Sequence, residues 1–97
     1  MIYIKRASDY LNWFDNLNTK EQAQVKARME RIAIHEHFGD VKNLGEGLAE
    51  LRWKNGWRVY FSNIGYKKII LLIGGHKNEQ EKNIKKARLC IRRFTAH

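Results

Sequence analysis

The sequence has no proline and a single cysteine in 97 residues. Without proline, glycine, asparagine and serine must mark the breaks between elements. One cysteine excludes an internal disulfide, and no Cys/His spacing points to zinc. Long apolar runs are also missing. The longest, Ile69 to Ile73, falls far short of the roughly 20 residues a membrane helix needs. Met1 to Arg6 carries no apolar stretch of the kind that opens a secretion signal. Acidic residues are scarce, ten against nineteen Lys and Arg. The expectation is a soluble cytoplasmic protein with no metal, no cofactor and no membrane partner.

What is present is a segregated positive charge. The net charge is +9. Residues 1–41 hold six basic and six acidic side chains, whereas residues 42–97 hold thirteen basic and four acidic ones. The whole excess therefore lies in the second half. Hydrophobic residues make up 43% of the chain and aromatics 11%, which argues against disorder. The length suits one domain, residues 1–97, burying roughly 60–68% of its unfolded surface. A basic excess of this size points to nucleic acid or to an acidic protein partner. The plainer reading is a solubility charge, but that need not segregate by half.

The periodicity supplies a coarse fold. Ile2-Tyr3-Ile4 reads as a strand. Tyr10, Trp13, Phe14 and Leu17 follow at helical spacing, with Ser8 as a plausible N-cap. Thr19-Lys20-Glu21-Gln22 has a capping-box pattern. The helix it opens carries Ala23 and Ala27, or Val25 and Met29, with Ile32 and Ala33, and should end near Phe38 before Gly39. The second half then changes period. Leu48–Trp53, Trp57–Ser62 and Tyr66–Ile73 read as strands, separated by Asn55-Gly56 and Asn63-Ile64-Gly65. Asn78 to Glu81 opens a last helix with Ile84, Ala87, Ile91 and Phe94 as its apolar stripe. The expected order is β-α-α-β-β-β-α, an α+β fold with two N-terminal helices on one face of an antiparallel sheet.

Strand parity sharpens the hairpin. Leu51, Trp53, Trp57, Val59 and Phe61 belong to a core face, leaving Glu50, Arg52, Arg58, Tyr60 and Ser62 on the other. A two-residue Asn55-Gly56 loop would mix the faces. A three-residue loop, Lys54-Asn55-Gly56, keeps them apart, with Gly56 at positive φ. Arg52 then lies opposite Arg58, and Glu50 opposite Tyr60, on an open face. Two facing arginines repel. Either an anion binds between them, or Glu50 neutralises one in a solvated ion-pair lattice.

These residues resemble a known family. Glu50-Leu51-Arg52, Gly56-Trp57-Arg58-Val59-Tyr60-Phe61 and Leu71-Leu72-Ile73-Gly74-Gly75-His76-Lys77, with Gln80, Asn83, Ile84 and Ala87, resemble the HigB-like "addiction module killer" branch of the RelE/ParE toxin superfamily. Trp13-Phe14, Leu17, Gly39-Asp40-Val41-Lys42 and Gly45-Glu46-Gly47 fit as well. The resemblance implies a RelE-like, microbial-ribonuclease-like fold. It implies the toxin of a type II toxin–antitoxin pair that cuts messenger RNA on the ribosome. Its implied partners are the ribosome, the messenger and a cognate antitoxin, a small helix-turn-helix protein of Cro/repressor type. It also places Arg58, Arg52 and Lys77 at active-site positions. Where several RelE-type enzymes have a tyrosine, this chain has Asn83.

The residues suit such chemistry. A metal-free ribonuclease uses the substrate 2′-hydroxyl as nucleophile. Arg52 and Arg58 can bind phosphate oxygens bidentately, Lys77 can hold phosphate or take part in proton transfer, and His76 can act as general acid or base. Lys42, Lys54 and Tyr60, with Lys82, Lys85 and Lys86, are candidate RNA contacts. The basic series on the last helix, which also includes Arg88, Arg92 and Arg93, is either a phosphate-tracking surface or the dock for an acidic antitoxin segment. Several residues have a plainer reading. His35 and His37 suit a helix end, Trp53 and Trp57 read as packing rather than RNA platforms, and Cys90 as a small hydrophobe. Two other functions remain open: a ParE-like inhibitor of DNA gyrase without catalysis, and a basic nucleic-acid-binding module.

Overall fold

The computed structural model describes residues 1–95; the last two positions of the expected 1–97 domain lie outside it. The elements are β1 (Tyr3–Arg6), α1 (Ser8–Asp15), α2 (Thr19–His35), β2 (Val41–Gly45), β3 (Leu48–Arg52), β4 (Trp57–Gly65), β5 (Lys68–His76) and α3 (Gln80–Thr95), with a 3-10 turn at Lys77–Glu79. The fold is α+β, as expected, with one strand more. Val41–Gly45 is β2, an edge strand whose polar Lys42 and Asn43 hid it. The sheet order is β1-β5-β4-β3-β2. It is mixed rather than antiparallel throughout: β2 to β5 form a meander, and β1 joins the free edge of β5 parallel to it.

Both faces of the sheet are covered. On one, Tyr10 of α1 and Val25, Met29 and Ile32 of α2 pack against Leu51, Val59, Phe61, Ile69 and Leu71. On the other, Ile84, Ala87, Cys90 and Ile91 of α3 pack against Leu48, Tyr60, Ile70, Leu72 and Ile73. The expectation of an open second face is therefore corrected. A register shift between Tyr60 and Phe61 turns both Leu72 and Ile73 toward α3.

Local signals shift by a residue or two. Asn18, not Thr19, caps α2: its Oδ1 accepts the Glu21 N–H at 2.8 Å, and Glu21 Oε1 accepts the Asn18 N–H at 3.0 Å. Ala7 precedes α1 without a side-chain cap, so Ser8 is the first helical residue instead. Helix α2 stops at His35 because Glu36 turns left-handed (φ 55°). There its carboxylate accepts hydrogen bonds from Lys67 and the Met1 amine, each at 3.0 Å. The β4–β5 turn is Tyr66-Lys67, with Gly65 paired to Lys68. Asn63 to Gly65 is an irregularity inside β4, where Asn63 Oδ1 accepts the Gly65 N–H at 3.0 Å.

Candidate active site

The β3–β4 hairpin has the register that parity requires. Arg52 pairs with Arg58, Leu51 with Val59 and Glu50 with Tyr60. The Trp53 N–H donates to Trp57 O at 3.0 Å, and Gly56 has φ +98°. Because β5 pairs Gly75 with Arg58 and His76 with Trp57, three strand ends meet. Arg52, Arg58 and Gly75 form one row across the sheet, on the face that α3 covers.

Arg58 is held on two sides. Its Nη1 donates to Trp57 O at 3.0 Å and, at 3.4 Å, to Trp53 O. Its Nε lies 3.7 Å from Glu50 Oε1 without a hydrogen bond of its own. The Glu50 side chain is 1% exposed and the Arg58 side chain 13%. The other Glu50 oxygen accepts from Gln80 Nε2 at 2.8 Å, so the first turn of α3 closes over the ion pair. Arg52 is more open: its side chain is 37% exposed, with Nε 3.8 Å from Asp40 Oδ2. The two facing arginines thus each take a separate carboxylate.

Asn83 reaches the same row. It is buried, and a Cβ at Gly75 would sit 2.1 Å from its Nδ2. Glycine there is what admits the Asn83 amide to the sheet beside Arg58. Tyr60, expected to face RNA, is instead fully buried under α3. Its hydroxyl lacks a hydrogen bond of ordinary geometry. Burial first, then the neighbouring Glu50 carboxylate, push its pKa upward. In this form it stacks on no base.

His76 and Lys77 end β5. The His76 Nδ1 pairs with Asn78 Oδ1, and the ring packs edge-on to Trp57, centroids 5.7 Å apart. Its Nε2 lies over Gly56, where a Cβ would come within 2.5 Å. The ring is therefore braced against the hairpin. The Lys77 N–H donates to Gly56 O at 2.8 Å, tying β5 to the hairpin loop, and its residue is exposed. Lys54 is exposed in that loop, and Lys42 is exposed on β2 opposite Glu50. Lys82, Lys85 and Lys86 are exposed along α3. Among the described residues no three His, Cys, Asp or Glu side chains gather into a metal-holding group.

Arg28 is a residue that sequence reasoning passed over. It is 6% exposed on the core side of α2. Its guanidinium donates to Phe38 O at 2.9 and 3.1 Å, to Asp40 O at 2.7 Å and to Arg52 O. It also lies over the Trp53 ring, 4.3 Å from the centroid. Burial lowers its pKa. Arg28 thereby fixes the backbone that carries Arg52 and Asp40. The available signal was a cation inside the Val25/Met29/Ile32 stripe.

The sequence profile of the phage-derived Gp49-like family (DUF891) matches residues 12–95. An uncharacterized protein of Haemophilus influenzae is 38% identical over 91 residues, covering 91% of each chain. Among solved structures, the isolated Escherichia coli RelE toxin superposes with a TM-score of 0.66 at 13% identity, covering 89% of this chain and 98% of that one. The toxin in the intact E. coli RelBE toxin–antitoxin complex gives 0.66 at 14%, over 78% and 96%. That of the Methanococcus jannaschii RelB–RelE complex gives 0.66 at 12%, over 81% and 96%. At these identities the likeness is one of fold.

Proposed function

The chain belongs to the phage-derived Gp49-like family and has a RelE-like fold, and from that premise we propose that it is the toxin of a type II toxin–antitoxin pair, an endoribonuclease that cuts messenger RNA on the ribosome. The observation that supports this most is the row Arg52–Arg58–Gly75, with Arg58 oriented by the buried Glu50 carboxylate. A cation so held is preorganised for charge that develops on a phosphate, and needs no rearrangement when it does. Within that reading the residues that resemble the HigB-like branch support placing the chain there. It would act in the cytoplasm, restrained by a small helix-turn-helix antitoxin.

In the proposed step the 2′-oxygen of the substrate attacks the adjacent phosphorus. A P–O2′ bond forms, the P–O5′ bond breaks, the 2′ proton passes to a base and a proton is given to the 5′-oxygen. Arg58 and Arg52 hold the non-bridging oxygens, and Lys77, exposed at the same sheet end, adds a third cation. His76 is the candidate proton carrier. Its Nδ1 contact with Asn78 and the packing of Nε2 against Gly56 hold the ring at the end of the hairpin, beside the cationic row. Lys42, Lys54, Lys82, Lys85 and Lys86 are proposed to follow the RNA backbone.

The test is induction of the protein in cells and with purified translating ribosomes, followed by mapping of RNA 5′ ends. Cleavage that depends on Arg58 and is weakened in Arg58→Ala and His76→Ala supports the reading. Wild-type cleavage in both variants would sink the residue assignment. A DNA-damage response without new 5′ ends would instead favour gyrase inhibition.

A further inference from the structure

A second feature lies on the other side of the hairpin. Between α2 and the β3–β4 loop runs a groove of about 450 Å³, lined by Gln24, Ala27, Arg31, Trp53, Lys54 and Asn55. Its composition is specific. Its lining is one indole, two carboxamides, two cations and an alanine, and none of the six is acidic. The indole is rigidly backed: Arg28 lies over it at 4.3 Å and is itself fixed by the carbonyls of Phe38, Asp40 and Arg52. Trp53 is half-buried, so part of its ring stays available to the groove.

The groove connects to the cationic row through one residue. Trp53 follows Arg52 in the chain, and its carbonyl accepts from Arg58 Nη1. Consecutive strand residues point to opposite faces, so a strand of RNA crossing the hairpin end would meet cations on one side and the indole on the other. We propose that this groove is a nucleobase subsite. A base next to the scissile phosphate stacks on Trp53, Gln24 and Asn55 face its edge, and Arg31 and Lys54 hold the flanking phosphates. This rests on the ribonuclease reading and names the nucleotide contact that it lacks. Trp53 packs against the core as expected, and the proposal adds a second role for the part of its ring that lines the groove.

The probe is a 2′-O-methyl hexaribonucleotide, which the 2′-hydroxyl chemistry cannot cleave. Binding is read by anisotropy and by quenching of tryptophan fluorescence. Its abasic counterpart reports the backbone contribution alone. Trp53→Leu should weaken binding of the hexamer roughly 5- to 100-fold and leave the abasic strand unchanged, while Trp53→Phe keeps most of the affinity. Ala27 lines the groove and is exposed on α2, so Ala27→Gln intrudes on the groove without touching the core, and should also weaken the hexamer selectively. It covers the case in which Trp53→Leu fails to fold. Equal hexamer affinity in wild type and Ala27→Gln would overturn the subsite, even if Arg58-dependent cleavage persists. So would an effect confined to binding of an acidic antitoxin peptide. Base-dependent binding lost in Ala27→Gln, without any cleavage by the wild type, would keep the subsite and overturn the catalytic reading.

Discussion

Arg58 Nε lies 3.7 Å from Glu50 Oε1, and the carboxylate is all but excluded from solvent. The two side chains come from neighbouring strands, and Gln80 of α3 seals the far carboxylate oxygen. A pair buried in this way contributes little net stability, because desolvation offsets attraction. Removing one partner is costly, since it leaves the other charge uncompensated. The pair therefore reads as an orienting device for Arg58 rather than as a source of stability.

Glu50→Gln should destabilise the protein by about 3 kcal/mol, at the lower end for a broken buried pair because the Arg58 side chain keeps 13% exposure. Urea midpoints measure this. The double variant Glu50→Gln/Arg58→Met should recover most of that loss, since no charge is then stranded, yet cleave no faster than Arg58→Ala. Arg58→Ala should lower the cleavage rate roughly 10²- to 10³-fold. A double variant as unstable as Glu50→Gln alone would mean that the carboxylate serves another partner.

Arg28 is the second site where a single change should be severe. Arg28→Met leaves the carbonyls of Phe38 and Arg52 without the guanidinium that now satisfies them, and Asp40 O keeps only its bond from the Arg52 N–H. The expected cost is about 3 kcal/mol, read as a lower urea midpoint with an unchanged slope. Arg28→Lys should recover less than half, because an ammonium cannot reproduce the planar fork. Near-complete recovery by lysine would show that the charge over Trp53, not the hydrogen-bond fork, is what matters.

These two arginines also show what was legible in the chain. The hairpin register followed from period-2 parity plus Asn55-Gly56, both local signals, and Arg52 opposite Arg58 came with it. The cover over that face did not. Glu50, Arg58 and Ser62 alternate with apolar residues, so β3 and β4 read as half-exposed strands, whereas α3 is brought over them by long-range packing. The clue lay in Ile69–Ile73, an unbroken apolar run of the kind found where both faces are buried. Arg28 was hidden because a buried cation is recognisable only when its carbonyl partners, ten to twenty-four positions away, are known.

Gly75→Ala tests the joint between α3 and the sheet. The new methyl would meet Asn83 Nδ2 at 2.1 Å, and Asn83 is buried, so its amide must move. Overpacking of this sort costs roughly 1–3 kcal/mol. Thermal unfolding should show the loss, and Gly75→Ala/Asn83→Ala should restore part of it by removing the clashing amide. Failure of the double variant to recover any stability would place the requirement for glycine in the backbone rather than in Asn83.

Glu36 gives stability a pH dependence of known sign. It terminates α2 and accepts from Lys67 Nζ and the Met1 amine at 3.0 Å each. The hydrogen bond from Lys67, then that from the Met1 amine, hold its carboxyl below the ordinary 4.5. A carboxylate with a lowered folded pKa binds its proton more weakly when folded than when unfolded. Its contribution is therefore fully present above the ordinary value and is lost as pH falls through the lowered one. Wild type should be more stable than Glu36→Gln at pH 7, and the two melting curves should converge as the pH drops below about 4. Because both contacts are solvent-exposed, added salt should shrink the pH 7 difference. A gap between wild type and Glu36→Gln that persists unchanged at pH 3 would show that Glu36 acts through its left-handed backbone at the helix end, not through its charge.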